Sequence, residues 1–177
     1  DNDMCVIADD EKDLGIGGIM GGEYSGSSME TTEIFLESAY FDPVQIALAG
    51  RKLNIMSDSR YRFERGVDPT YVLEGLEYAT KLIIELCGGT AEEISVIDNR
   101  KFINKKINFN PELVKKMTGL EIENKIISEI LSSLGFKVSD DWELTVPSWR
   151  PDISINEDIV EEVVRIYGLN NIKSEPL

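Results

Sequence analysis

The chain has 177 residues, 42% of them hydrophobic, with 33 acidic side chains against 18 basic ones, a net charge of −15, and no histidine. Without histidine there is no Ser-His-Asp or Cys-His catalysis and no His-ligated zinc. Two cysteines, Cys5 and Cys87, are too few for a disulfide framework or a four-cysteine zinc site and point to a reducing compartment.

So acidic a chain repels nucleic acid as a whole, and any such binding is expected to be local or to come through a partner. Nothing resembles a signal peptide, and no apolar run approaches the ~18 residues of a membrane helix. The first residue, Asp1, is not an initiator Met, which suggests a processed or excised piece. The expectation is a soluble cytoplasmic protein without membrane contact.

The charge is uneven: net −10 over residues 1–49, −2 over 50–100 and −3 over 101–177. A boundary is placed near Asn99-Arg100-Lys101, with the second piece, about 75 residues, large enough for its own core. Met4 to Ala8 reads as a strand followed by a polar turn. LGIGGIMGGEYSG (14–26) reads as a strand entering an irregular loop, and Ile34-Phe35-Leu36 as a short buried strand. Asp42-Pro43 and Asp68-Pro69 each place a capping carboxylate before a proline at the first helical position. The second of these helices should run to Cys87, with Leu73, Leu76, Ile83 and Leu86 on one face, and stop at Gly88-Gly89.

In the second piece, Asn110-Pro111 starts a short helix ending near Gly119. Glu123–Leu134 forms another, with Ile126, Ile127, Ile130, Leu131 and Leu134 as its apolar face. Phe136–Val138 and Trp142–Val146 flank Ser139-Asp140-Asp141 as a β-hairpin. Asn156 caps a last helix to Tyr167, whose apolar face is Ile159, Val160, Val163, Ile166 and Tyr167. Helix, helix, hairpin and helix make a compact α+β module in the order of a winged helix.

Three constellations could carry chemistry. The glycine loop lacks the Gly-Lys-Ser/Thr ending of a phosphate loop, and its GxGxxG spacing fails at Met20. It is either a tight structural loop lining a cleft or a loop whose amides and Glu23 line a small-molecule pocket. Arg60, Arg62 and Arg65 alternate with Tyr61, Phe63 and Glu64, as on a strand with one charged face. They could grip a ribose-phosphate backbone or pair internally with Asp58, Glu64 and Asp68. Asp158, Glu161 and Glu162 have i, i+3, i+4 spacing and share one side of a helix, with Asp152 upstream able to fold back as a fourth. Four hard oxygen donors suit Mg2+ or Ca2+. A solvated acidic face with a Glu161–Arg165 pair is the other reading.

Four runs give these features a family. GIMGGEYSG (18–26), ETTEIFLESAYFDP (30–43), SRYRFERGVDP (59–69) and VPSWRPDISINEDIVEEVVRIYGLNNI (146–172) resemble the β subunit of bacterial phenylalanyl-tRNA synthetase, in order and with matching spacing. The resemblance implies an α+β fragment. A partial mixed α/β B3/B4 editing domain would occupy residues 1–100 and a winged-helix-like B5 domain 101–172, with 173–177 beginning a linker.

It further implies Mg2+ held by Asp152, Asp158, Glu161 and Glu162 and shared with the catalytic α subunit, in an α2β2 heterotetramer that binds tRNA(Phe). ATP would be bound by the α subunit, so the fragment alone should not aminoacylate. The family's editing pocket hydrolyses mischarged Tyr-tRNA. Glu23 corresponds to its GGE glutamate, a candidate acceptor for the tyrosine hydroxyl, with Asp42 and Val44 as further pocket candidates. The alternatives are a trans-editing esterase and a stand-alone winged-helix nucleic-acid-binding module over residues 102–172, against which stands the near absence of basic residues in Glu123–Leu134.

Overall fold

The computed structural model describes residues 4–98 and 102–173. The chain divides into two compact units, residues 1–100 and 101–177, of α+β construction. The turn expected at Asn99-Arg100-Lys101 and most of the expected linker, 174–177, lie outside the described residues.

The first unit opens with an antiparallel meander of β1 (Val6–Ala8), β2 (Asp13–Ile16) and β3 (Met20–Gly21), in the order β1-β2-β3. The glycine-rich run therefore closes a tight turn between β2 and β3. Gly18 sits at φ +67°, and a Cβ there would collide with Phe41 and Ile46, so the position requires glycine. α1 (Pro43–Leu53) starts as expected, with the Asp42 carboxylate accepting the Val44 and Gln45 amides at 3.0 Å each.

Three expectations in this unit are corrected. Ile34-Phe35-Leu36 is not a strand: no neighbouring strand pairs with it, and Ile34 and Phe35 are exposed. The arginine run 58–63 is helix α2 (Asp58–Phe63), not a strand. The Ser57 hydroxyl accepts the Arg60 amide, and the Arg60 guanidinium reaches Glu64 one turn on. The i, i+4 ion pair and the serine cap, both local, outweigh the alternation of aromatics. The third helix, α3 (Val72–Cys87), begins three residues later than Asp68-Pro69 implies, because the Asp68 carboxylate closes a turn onto the Thr70 amide and hydroxyl instead. It ends at Gly88 as expected, but buries no residue, and Leu73 and Leu86 are exposed. The core of the unit is small: Ile19, Ile46 and Ala49, with Met4, Ile16, Phe41, Ile55 and Phe63 packed around them.

The second unit contains β4 (Lys106–Asn108), α4 (Glu112–Thr118), α5 (Asn124–Ser133), β5 (Lys137–Val138), β6 (Glu143–Thr145) and α6 (Asn156–Tyr167). The hairpin forms as expected, Val138 facing Leu144. Its outer partner β4 is unexpected: it pairs antiparallel with β6, Ile107 opposite Leu144, and gives the sheet order β4-β6-β5. Asn110 caps the chain entering α4 by accepting the Glu112 amide at 3.0 Å, and Gly119 at φ +74° ends the helix.

One core joins all these elements. Phe109, Val114, Ile127, Leu131, Phe136, Leu144, Val146, Ile153, Ile159 and Val163 are buried together, each side chain contributing roughly 1.5–3 kcal/mol of hydrophobic stabilisation. On α5, Ile127, Ile130 and Leu131 are buried, while Ile126 is at the rim. On α6, Val164 joins the buried stripe, and Ile166 and Tyr167 are exposed because the last turn runs past the core. Gly135 holds φ +91° directly under the Trp149 ring, where a Cβ would clash.

Candidate functional site

The segment from Arg150 to Arg165 holds a charged network built on the loop before α6 and the helix itself. Arg150 lies in a turn, its amide donating to the Pro147 carbonyl. Its Nε and Nη2 donate to the two Asp152 oxygens at 2.9 and 2.6 Å. Its Nη1 and Nη2 also donate to the two Glu162 oxygens, at 2.9 and 3.0 Å, a paired fork of charge-assisted bonds. Glu162 is only 6% exposed, and Arg165 adds a second cation, its Nη2 2.5 Å from Oε2. The expected Glu161–Arg165 pair is thus replaced by a Glu162–Arg165 pair, because Glu162 borders the buried stripe while Glu161 stays exposed in water.

The electrostatics follow from these contacts. The Arg150 hydrogen bonds, reinforced by Arg165, pull Glu162 from its ordinary value down to about 2 against the opposing effect of burial. Arg150 likewise holds Asp152 below the usual carboxylate range, and its own pKa is raised in return. Asp158 is lowered for a different reason. Its Oδ2 accepts the Ser154 and Ile155 amides at 2.7 and 3.0 Å, satisfying free N–H groups at the helix start and opposing the dipole.

Asn156, expected as the cap, is instead the first helical residue. Its Oδ1 is buried with no hydrogen-bond partner among the described residues. Lys105 anchors the same loop from β4's side, its ammonium 2.7 Å from the Ile153 carbonyl.

The four expected metal ligands therefore fall into three environments. Asp152 and Glu162 share Arg150, Asp158 caps α6, and Glu161 is solvated. Among the described residues no three Asp, Glu, Cys or His side chains gather closely enough to hold a metal. The four donors do not form a cage in this chain. Arg150, which ties two of them together, is the residue that sequence reasoning passed over. Its signal was present, an arginine two residues before an acid and opposite a helix acid, but the distance of twelve residues to Glu162 is bridged only in three dimensions.

In the first unit, a cavity of about 740 Å3 lies between the meander, the irregular segment 31–41 and α2. Its wall includes the glycine turn, the Phe35, Phe41 and Phe63 rings, and two acids, Glu33 and Glu37. Glu37 reaches solvent, yet partial burial against the wall raises its pKa above the usual glutamate value. The neighbouring Ser38 hydroxyl donates to the Val72 carbonyl at 2.8 Å and ties this segment to α3.

None of Glu23, Asp42 and Val44 is on the cavity wall: Asp42 caps α1, and Val44 is exposed on that helix. The arginine trio divides as well. Arg60 is buried and donates to Glu64 and to the Ile55 carbonyl, and Arg65 donates to Glu64 and stacks on Tyr61. Internal pairing thus takes two of the three guanidinium groups, leaving Arg62 exposed. On α5, Lys125 pairs with Glu129 at 3.9 Å, so this helix presents no basic face to a nucleic acid.

These two units define a class. Residues 1–88 match the B3/4 domain family and residues 107–169 the tRNA synthetase B5 domain family, so the chain carries matches to these two domains in succession. Among curated proteins it is 47% identical over 174 residues, 98% of its length, to the phenylalanine–tRNA ligase β subunit of Novosphingobium aromaticivorans. It is 48% identical over 179 residues to that of Rhodopseudomonas palustris and 43% over 180 residues to that of the Wolbachia of Brugia malayi. The family resemblance carried by the four sequence runs is borne out. The chain spans between 22% and 23% of the length of these relatives. No helix among the described residues is long and apolar enough to cross a membrane.

Proposed function

We propose that the chain is the segment of a phenylalanine–tRNA ligase β subunit that joins part of the editing domain to the B5 domain. In this reading it acts in protein synthesis as part of a class II aminoacyl-tRNA synthetase of α2β2 composition. The α subunit binds ATP and phenylalanine, and tRNA(Phe) is bound by the whole enzyme in the cytoplasm. The observation that carries the reading is the succession of two matched domains with 43% to 48% identity over nearly the whole chain.

The B5 unit serves as a rigid support for the α subunit, with the loop 147–155 and the acidic side of α6 facing it. The Mg2+ that the resemblance attaches to Asp152, Asp158, Glu161 and Glu162 would belong to the assembled enzyme and be held jointly with the α subunit. The cavity of the first unit belongs to the editing pocket. Its aromatic wall suits a phenyl ring, and Glu37 is the better-placed acceptor for a phenolic hydroxyl than Glu23, because it lies on the wall and Glu23 does not. An unpaired acceptor there would favour tyrosine over phenylalanine.

The test is co-purification of a tagged α subunit from such a ligase with this chain. A stable complex is expected, without ATP–pyrophosphate exchange by the chain alone; failure of the two folded proteins to associate would remove the interface role. For the pocket, Glu37→Gln in an intact β subunit should slow Tyr-tRNA deacylation while leaving phenylalanylation unchanged.

A further inference from the structure

We propose that Arg150 is the resident cation of the carboxylates at the start of α6, so that the chain as it stands holds no Mg2+ there. Glu162 is buried and needs positive charge beside it, and Asp152 is held against the same guanidinium. Arg150 supplies that charge with five donor contacts, three to Asp152 and two to Glu162. Together with Arg165 on Glu162, two cations face two anions, and the network is neutral. A Mg2+ ion asks for near-octahedral oxygen ligands at about 2.0–2.1 Å. The oxygens that would face it here already accept guanidinium protons, and the inward oxygen of Asp158 accepts two backbone amides. Glu161 and the second oxygen of Asp158 are left, and two exposed carboxylate oxygens without the other ligands do not make the near-octahedral shell that Mg2+ needs. All four carboxylates that the resemblance implies are present, but Arg150 of the same run engages two of them within this chain.

The experiment is amide NMR of the whole chain titrated with MgCl2, against NaCl of equal ionic strength, with Mn2+ as a paramagnetic probe. The wild-type amides of 150–165 should show no saturable shift up to about 10 mM Mg2+, and Mn2+ should not broaden them selectively. Saturable shifts at sub-millimolar Mg2+ would overturn the proposal, and this measurement needs no variant to fold. Arg150→Gln should leave Asp152 and Glu162 without their shared partner and create a saturable Mg2+ site. Its melting temperature should then rise by several degrees at a Mg2+ concentration about 100 times the dissociation constant. A folded Arg150→Gln chain that still ignores Mg2+ would also overturn the proposal, since Arg150 would then not be what occupies the cluster.

Discussion

The two units are of comparable length but use their apolar residues differently. In the second, thirteen buried side chains from α4, α5, α6, β6 and the segments between them form a single core. In the first, three are buried, and its longest helix, α3, buries none. Among the described residues each unit buries one charged group, Arg60 in the first and Glu162 in the second, and each is ion-paired, Arg60 to Glu64 and Glu162 to Arg150 and Arg165. The first unit also lines a cavity with two further acids, Glu33 and Glu37, both exposed to water. Dense packing makes a rigid support, and sparse packing leaves a hollow that a ligand can fill.

Changes that break the comparison should differ in size accordingly. Leu144→Ala, at the centre of the second unit's sheet, should cost about 3 kcal/mol in urea unfolding. A loss below about 1 kcal/mol would mean that the core is not packed as described. Glu162→Leu removes one buried anion, leaves Arg150 with Asp152 alone and Arg165 without its partner, and should cost about 2 kcal/mol; circular dichroism melts of the variant and the parent would show it.

The same network sets an acid response. The folded-state pKa of Glu162 lies below its unfolded value, at about 2. Its contribution is therefore complete above about pH 4.5 and is lost as the pH falls from there towards 2. The second unit's stability should drop across that window, and the drop should be smaller in Glu162→Gln. Asp42→Ala removes the cap of α1 and should destabilise the first unit by about 1 kcal/mol without touching the second. Leu73→Ala on α3, half in water, should cost less than about 0.5 kcal/mol, the smallest effect of the series; a larger loss in this chain would mean that α3 is covered.

Local signals carried most of the secondary structure. The caps at Asp42 and Asn110, the stops at Gly88, Gly119, Gly135 and Gly168, and the apolar spacing of α5 and α6 each act within a few residues, so a linear reading finds them. The errors fall where a distant partner decides. β4 is a three-residue Lys-Ile-Asn segment that becomes a strand because β6 offers an edge. Ile34-Phe35-Leu36 is apolar enough for a strand but pairs with none among the described residues. At 58–63 the alternation suggested a strand, while Ser57 and the Arg60–Glu64 spacing, equally visible, favoured a helix.

The candidate site divides in the same way. The sequence by itself determined the α+β class, the succession of a B3/4 and a B5 domain, and the gathering of acids at the start of α6, since these rest on residue order and helical spacing. Only the tertiary structure decided which acids are free. Helical spacing places Asp158, Glu161 and Glu162 near one another but cannot tell which borders the core. Burial of Glu162 makes an unpaired charge costly, and the fold brings Arg150 across twelve residues to pair with it.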